Sequence, residues 1–152
     1  MKKILLLIPT ILLCMVGCGT VKSGVITCTL TRNDVINNYK LESTYNINYL
    51  GETVEYVETK EVVTSDSSDV LDYFEETLNE TYSKMNEAYG GYDYEITNDN
   101  GVVTSTVRIN YNSMDVKQLS QDEPTLKPYI SNDKLLTKGI QTMYEQMGAT
   151  CK

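Results

Sequence analysis

The sequence contains no histidine, no tryptophan and one phenylalanine. Without histidine, no Ser-His or Cys-His pair can activate a nucleophile, and no imidazole can bind a metal ion. Neither common spacing of a glycine-rich phosphate-binding loop occurs. Enzymes that depend on those groups are therefore excluded, and we expect no catalytic residue, no metal site and no cofactor.

Basic residues are scarce, since 13 lysines and arginines stand against 21 aspartates and glutamates. Arginine occurs at Arg32 and Arg108, and the lysines form no basic patch. A surface with this excess of negative charge repels the phosphates of nucleic acid. We therefore expect no nucleic-acid partner.

The first residues have the pattern of an export signal. Lys2 and Lys3 precede a nearly uninterrupted apolar stretch at 4–16, which is shorter than the roughly 17–25 residues of a transmembrane helix. A stretch of this length after positive charge is typical of a signal peptide. Gly17 and Gly19 flank Cys18, which is typical of a bacterial lipoprotein whose cysteine is acylated after cleavage before it.

Met15 stands where such lipoprotein signals usually have leucine, so ordinary secretion with cleavage near Gly17 or Gly19 is the alternative. We predict a signal peptide at 1–17, lipidated Cys18 with a short tether at 18–24, and one extracytoplasmic domain at 25–152. The protein would be anchored in the cell membrane by its lipid. Loss of Lys2 and Lys3 leaves a formal charge of about −10, which would hold the domain off anionic headgroups.

Two further cysteines, Cys28 and Cys151, remain in the exported part. An even pair in an exported domain predicts a disulfide, which would join the first segment of the domain to the last residue but one. Two free thiols or a metal site are the alternatives. A zinc site has little to build on, because the chain lacks histidine and a third nearby thiol.

Alternating apolar and polar residues predict strands, since one face of each strand would be buried and the other wet. The alternation is clearest at 39–50, and Gly51 and Glu52 form a turn into the next strand. Asp99-Asn100-Gly101 contains the Asn-Gly signal of a tight hairpin. The predicted strands are 25–31, 39–50, 53–64, 92–98 and 102–111.

Apolar residues spaced by three and four predict a long helix at 69–88, which Gly90-Gly91 would end. A second helix is predicted at 137–147, where Gly139 weakens the first turn. The region after Met114 holds a short helix or a covering loop. The predicted fold is α+β: a mostly antiparallel sheet of about five strands, with one long helix and a C-terminal helix packed on one face.

Tyrosine is abundant, with 12 residues in the chain. Most fall on predicted core faces, where tyrosine would replace phenylalanine as the buried aromatic residue. Tyr89, Tyr92 and Tyr94 gather instead around Gly90-Gly91. If the domain has a ligand surface, this junction between helix and strand is where we predict it, because tyrosine is common at binding interfaces.

Several short motifs occur along the mature chain: Glu58-Thr59-Lys60, Val62-Val63-Thr64, Leu71-Asp72-Tyr73-Phe74, Leu78-Asn79-Glu80-Thr81-Tyr82, Tyr89-Gly90-Gly91-Tyr92 and Met147-Gly148-Ala149-Thr150-Cys151-Lys152. With these motifs, a cysteine just after the tether and the strand at 39–49, the chain resembles a known family, the YehR-like small bacterial lipoproteins in the form seen in Gram-positive bacteria. The resemblance covers essentially the whole mature chain, but its motifs are structural rather than catalytic. It implies an α+β lipoprotein with no established activity, and it transfers no catalytic or ligand residue to this sequence. The resemblance supports Cys18 as the lipid site despite Met15.

Three functions fit these observations. The first is a membrane-tethered, non-catalytic module that binds a protein or small ligand of unknown identity. The second is a small cell-envelope hydrolase that uses carboxylate or tyrosine chemistry, which a buried acid facing a pocket would favour. The third is a purely structural envelope protein, which a surface without pockets would favour.

Overall fold

The computed structural model describes residues 21–152. The predicted signal peptide and lipid site Cys18 lie outside these described residues. The elements in chain order are β1 (Ser23–Asp34), β2 (Tyr39–Leu50), β3 (Thr53–Thr64), α1 (Ser68–Tyr89), β4 (Tyr92–Asp99), β5 (Val102–Asn110), α2 (Val116–Asp122), a 3₁₀ helix (Pro124–Tyr129), β6 (Ile130–Ser131), β7 (Lys134–Leu135), α3 (Thr137–Gln146) and β8 (Thr150–Cys151).

The main sheet has six antiparallel strands in the order β4-β5-β3-β2-β1-β8. The predicted α+β fold with a mostly antiparallel sheet is confirmed. The predicted number of about five strands is too low, because Thr150–Cys151 pairs with β1 at the sheet edge. A separate two-stranded sheet, β6 and β7, was also not predicted. Two-residue strands carry too little alternation to be read from a sequence.

The alternation in each long strand divides the sheet into two faces. Inner-face residues include Cys28, Tyr45, Thr59 and Val107, which are aligned across β1, β2, β3 and β5 and are all buried. Their sequence neighbours point to the outer face, which is mostly polar and wet, as the period of two in a strand requires. One covered face and one solvated face are typical of an antiparallel sheet.

Both long helices lie on the inner face, as predicted. α1 packs mainly on β4 and β5, whereas α3 packs on β1, β2 and β8. The long helix ends at Gly90, whose φ of 71° is the left-handed conformation that glycine adopts readily. α2 and the 3₁₀ helix occupy the stretch after Met114 and extend the helical layer beyond the two helices of the predicted arrangement.

Two hydrophobic clusters fill the space between sheet and helices. The smaller is centred on Val63, Leu71 and Val103, near the start of α1. The larger lies under α3 and the C-terminal part of α1 and includes Tyr45, Ile47 and Val57. A polar row lies between the two clusters. It consists of Ser43, Glu61 and Ser105, which face one another across β2, β3 and β5.

The predicted disulfide between Cys28 and Cys151 is present, so the alternatives of free thiols or a thiol metal site do not apply. The two cysteines stand directly opposite each other in the register of β1 and β8. The bond spans 123 residues of sequence. Closing a loop of that length stabilises a fold by up to about 5 kcal/mol in the chain-entropy model, although measured gains are often smaller.

Gly139 allows the first turn of α3 to approach the 3₁₀ helix closely. A Cβ atom at this position would lie 2.5 Å from Cβ of Tyr129, which is shorter than any ordinary carbon–carbon contact. The sequence indicated only that Gly139 weakens the helix. The structure shows that the glycine lets these two helices meet.

Candidate functional site

An apolar cleft of about 500 Å³ lies between the end of α1, the 3₁₀ helix and α3. We call it the α1–α3 cleft. Its volume falls within the range of small-molecule sites, about 300–1,000 Å³. The lining residues are Met85, Tyr92, Ile109, Tyr111, Leu119, Glu123, Thr125, Leu126, Pro128, Tyr129, Gly139, Ile140, Thr142, Met143, Tyr144 and Gln146.

Most of this lining is apolar or aromatic. Met85 from α1 and Met143 from α3 lie on opposing walls, and Met85 is 38% exposed despite its apolar side chain. Methionine adapts easily to ligands of different shape. Glu123 is the charged residue among those that line the cleft. The cleft is therefore suited to an apolar molecule that is uncharged or positively charged, because an anion would meet a carboxylate without a cation beside it.

Four tyrosines, Tyr92, Tyr111, Tyr129 and Tyr144, line the cleft, and the first, second and fourth are buried enough to shift their pKa values. Burial raises the pKa of Tyr92 to about 12, and burial likewise raises the pKa values of Tyr111 and Tyr144. All three phenols therefore stay protonated at neutral pH. They can orient a ligand through hydrogen bonds, but a protonated phenol is a poor nucleophile or general base.

The structure separates the three tyrosines of the predicted ligand surface. Tyr92 lines the cleft. Tyr89 donates a hydrogen bond of 3.1 Å to Asp122 and so ties the end of α1 to α2. Tyr94 lies beside Tyr82, with 5.6 Å between ring centroids, and does not line the cleft. The predicted location is close to the cleft, but one of the three residues contributes to it.

A second polar group, the Glu61 cluster, lies in the middle of the inner face. Its members are Glu61, Tyr45, Tyr82, Ser43 and Ser105. The Tyr82 hydroxyl donates to Glu61 Oε2 at 2.8 Å, and the Tyr45 hydroxyl donates to Oε1 at a longer 3.5 Å. Ser43 and Ser105 face Glu61 from the two neighbouring strands.

The two serines of this cluster are buried without hydrogen-bond partners. Ser43 is 2% exposed and Ser105 is 0% exposed, and neither hydroxyl oxygen makes a hydrogen bond. Burial, reinforced by the Glu61 carboxylate, raises the pKa values of Tyr45 and Tyr82, although the neighbouring hydroxyls of Ser43 and Ser105 offset part of the increase.

Glu61 makes no ion pair with any of the residues at 21–152. The ion pairs within this range join Lys40 to Glu42, Lys84 to Glu80 and Arg108 to Glu58. Arg32 also lies on the inner face, but its guanidinium donates to the Met147 carbonyl at 3.0 Å. The charge of Glu61 is thus held by neutral phenols without a paired cation.

Sequence reasoning missed Glu61, although a signal was present. Glu61 shares the odd-numbered face of β3 with Val57 and Val63, which are buried. A carboxylate at a core position of an alternating strand is unusual. That contrast could have identified the position.

Two further findings concern the described part of the chain as a whole. No group of three or more cysteines or carboxylates within 21–152 is arranged to hold a metal ion. No helix in the same range is long and apolar enough to cross a membrane.

Comparison with solved structures shows a YehR-like fold. The chain is similar to Escherichia coli YehR, solved by NMR, with a TM-score of 0.54 and 14% identity over 86% of this chain and 91% of that chain. It is also similar to a Streptococcus pneumoniae protein solved by NMR, with a TM-score of 0.50 and 16% identity over 100% of this chain and 94% of that chain. No family model and no curated protein matches the sequence. At these identities the likeness shows the fold alone.

Proposed function

We propose that this protein is a YehR-like lipoprotein of the Gram-positive form that binds an apolar small molecule in the α1–α3 cleft without catalysing a reaction. Cys18 would carry the lipid and hold the domain on the extracytoplasmic side of the cell membrane. The observation that carries the binding role is the preformed apolar cleft of about 500 Å³. No nucleic-acid partner is proposed, because the chain is strongly acidic.

The position of the first described residues supports this arrangement. The Lys22 carbonyl accepts a hydrogen bond from the Gly51 amide, and the Glu52 carbonyl accepts one from the Thr137 amide at the start of α3. The first described residues and the start of α3 therefore share one end of the sheet. The few residues from Cys18 to Lys22 span at most about 20 Å, so a lipid on Cys18 would keep this end close to the membrane, where apolar molecules are available.

The same geometry favours binding over hydrolysis. Paired-carboxylate hydrolases place two carboxyl groups about 5–10 Å apart across the substrate, whereas the cleft lining includes one carboxylate, Glu123. The raised pKa values of Tyr92 and Tyr144 oppose tyrosine nucleophiles. A cleft of this size also favours ligand binding over a purely structural role in the envelope.

Binding can be tested with the uncharged fluorescent probe N-phenyl-1-naphthylamine and the chain in which Cys18→Ser removes the lipid site. Thr142→Phe should fill the cleft and weaken binding at least tenfold. The matched control is Glu145→Phe, which places the same ring at an exposed position of α3 that does not line the cleft. Equal affinity in the two variants, or no saturable binding by the parent chain, would contradict the proposal.

The anchor has a separate test, which is mass spectrometry of the mature N terminus. The proposed lipidation predicts an acylated Cys18 as the first residue. An unmodified N terminus at Gly19 or later would show ordinary secretion instead.

A further inference from the structure

We infer that the Glu61 cluster binds a primary ammonium group, which would lie against Glu61 with the hydroxyl of Ser43 or of Ser105 as a further acceptor. This site is distinct from the α1–α3 cleft, since none of the three residues lines that cleft. The inference therefore stands or falls independently of the proposed function.

The charge of Glu61 favours a cation beside it. Glu61 lies half-buried on the inner face and makes no ion pair within the described range. A carboxylate withdrawn from water is costly unless an opposite charge accompanies it. One carboxylate balances one positive charge, whereas a divalent cation such as Ca²⁺ takes six to eight oxygen ligands that include several carboxylates.

Several hydrogen-bond acceptors in the Glu61 cluster lack a good donor. The Glu61 Oε1 atom has one long hydrogen bond, of 3.5 Å from Tyr45. The hydroxyl oxygens of Ser43 and Ser105 have none and are buried. Buried polar groups without partners are rare in folded proteins. A primary ammonium carries three N–H donors. Neighbouring strands lie about 4.7–4.9 Å apart, so an ammonium at Glu61 can reach the serine on one side of it, Ser43 or Ser105, but not both.

Aromatic rings surround the carboxylate. Tyr45 stacks on Tyr144 from α3 with 4.1 Å between ring centroids, and Tyr82 from α1 lies 5.6 Å from Tyr94. Glu61 accepts hydrogen bonds from one tyrosine of each pair, so the aromatic pairs stand on both sides of it. These rings offer apolar surface to the alkyl chain of an organic ammonium. This surround favours an ammonium group over an alkali ion.

The carboxylate is accessible between the two helices. α1 covers mainly β4 and β5, and α3 covers β1, β2 and β8, so β3 lies between the parts of the sheet that the two helices cover. Glu61 keeps part of its surface exposed there, while its strand neighbours Val57 and Val63 are fully buried. A small amine can therefore reach the carboxylate from solvent.

The test is an NMR titration of the Cys18→Ser chain with n-butylammonium chloride, compared with sodium chloride at equal ionic strength. We expect saturable shifts at the amides of Ser43, Glu61 and Ser105 with the amine and not with sodium. Tetramethylammonium, which has no N–H donor, should bind at least tenfold more weakly. Shifts that sodium chloride reproduces would overturn the inference.

Two matched variants separate the site from general charge effects. Glu61→Gln keeps the shape of the side chain and should weaken butylammonium binding at least tenfold. Glu58→Gln makes the same change on the opposite face of β3 and should leave binding unchanged. If Glu61→Gln fails to fold, the double variant Ser43→Ala/Ser105→Ala takes its place and should weaken binding about threefold or more. Binding unaltered by loss of Glu61, or by loss of both serine hydroxyls in that case, would refute the site.

Discussion

Two glutamates three residues apart on β3 occupy opposite environments. Glu58 lies on the outer face, where Arg108 Nη1 approaches its Oε1 at 2.6 Å and the guanidinium lies 3.6 Å above the Tyr56 ring. Glu61 lies on the inner face and is held by the hydroxyls of Tyr45 and Tyr82. The outer carboxylate has a cation, and the inner carboxylate has neutral donors.

The difference shows how little the residue type alone determines. Glu58 is exposed in water, where an ion pair adds roughly 0–1 kcal/mol and its loss is easily tolerated. Glu61 is surrounded by buried tyrosines and serines, where each polar contact depends on its neighbours. The inner face therefore concentrates both the stability of the domain and its unmatched binding groups.

The contrast between the faces is largest for apolar core residues. Ile47 on the inner face is fully buried, whereas Val25 on the outer face is 55% exposed. Ile47→Ala should lower the free energy of unfolding by about 2–5 kcal/mol, because it leaves a cavity in the packed layer. Val25→Ala should change it by less than about 0.5 kcal/mol. Urea denaturation of both variants measures the difference, and equal effects would mean that the inner face is not the core.

Alkaline titration tests the inner-face tyrosines next. Burial raises the pKa of Tyr92 to about 12, while an unfolded phenol ionises near 10. The unfolded state thus loses its proton first, so the stability present below pH 10 falls as the pH rises through 12. The loss for Tyr92 is about 2–3 kcal/mol by linkage. Tyr92→Phe should make unfolding less steeply pH-dependent between pH 10 and 12, and an unchanged slope would contradict this account.

Removing each glutamate side chain sharpens the comparison directly. Glu61→Ala leaves the Tyr82 and Tyr45 hydroxyls without their acceptor and should destabilise the fold by about 1–3 kcal/mol. Glu58→Ala removes a solvated ion pair and should cost about 0–1 kcal/mol. Thermal or urea unfolding of the pair measures both values. A larger loss for Glu58→Ala would reverse the assignment of the two faces.

The smallest expected effect is a gain. Ser105→Ala removes a buried hydroxyl that makes no hydrogen bond, so the unfolding free energy in the absence of ligand should stay the same or rise by about 1 kcal/mol. Thr106→Ala on the outer face serves as the control and should be neutral or slightly destabilising. A clear loss of stability for Ser105→Ala would show that this hydroxyl has a partner.

The main elements could be predicted because their patterns are long. Twelve alternating residues in Tyr39–Leu50 and the apolar spacing along the 22 residues of α1 leave few alternative structures. The disulfide was predicted from the number of cysteines together with the expected export. The two-residue strands β6, β7 and β8 could not be predicted, because their pairing depends on tertiary contacts.

The candidate sites were predicted less well. The tyrosines around Gly90-Gly91 lie near the α1–α3 cleft, but Tyr89 and Tyr94 make other contacts there. The α1–α3 cleft also depends on how the 3₁₀ helix meets α3 at Gly139, which local patterns do not specify. To predict the Glu61 cluster, one would need to know that Ser43 and Ser105 align with Glu61 across three strands.

The most direct test of this account follows both glutamates in one experiment, by recording the side-chain carboxyl ¹³C signals of Glu61 and Glu58 during addition of n-butylammonium chloride. The inferred site predicts a saturable shift of the Glu61 signal and a small, non-saturating shift of the Glu58 signal, which already has Arg108 as its partner. Parallel shifts of the two signals, or no shift at Glu61, would contradict the claim that the inner carboxylate is a cation-binding group.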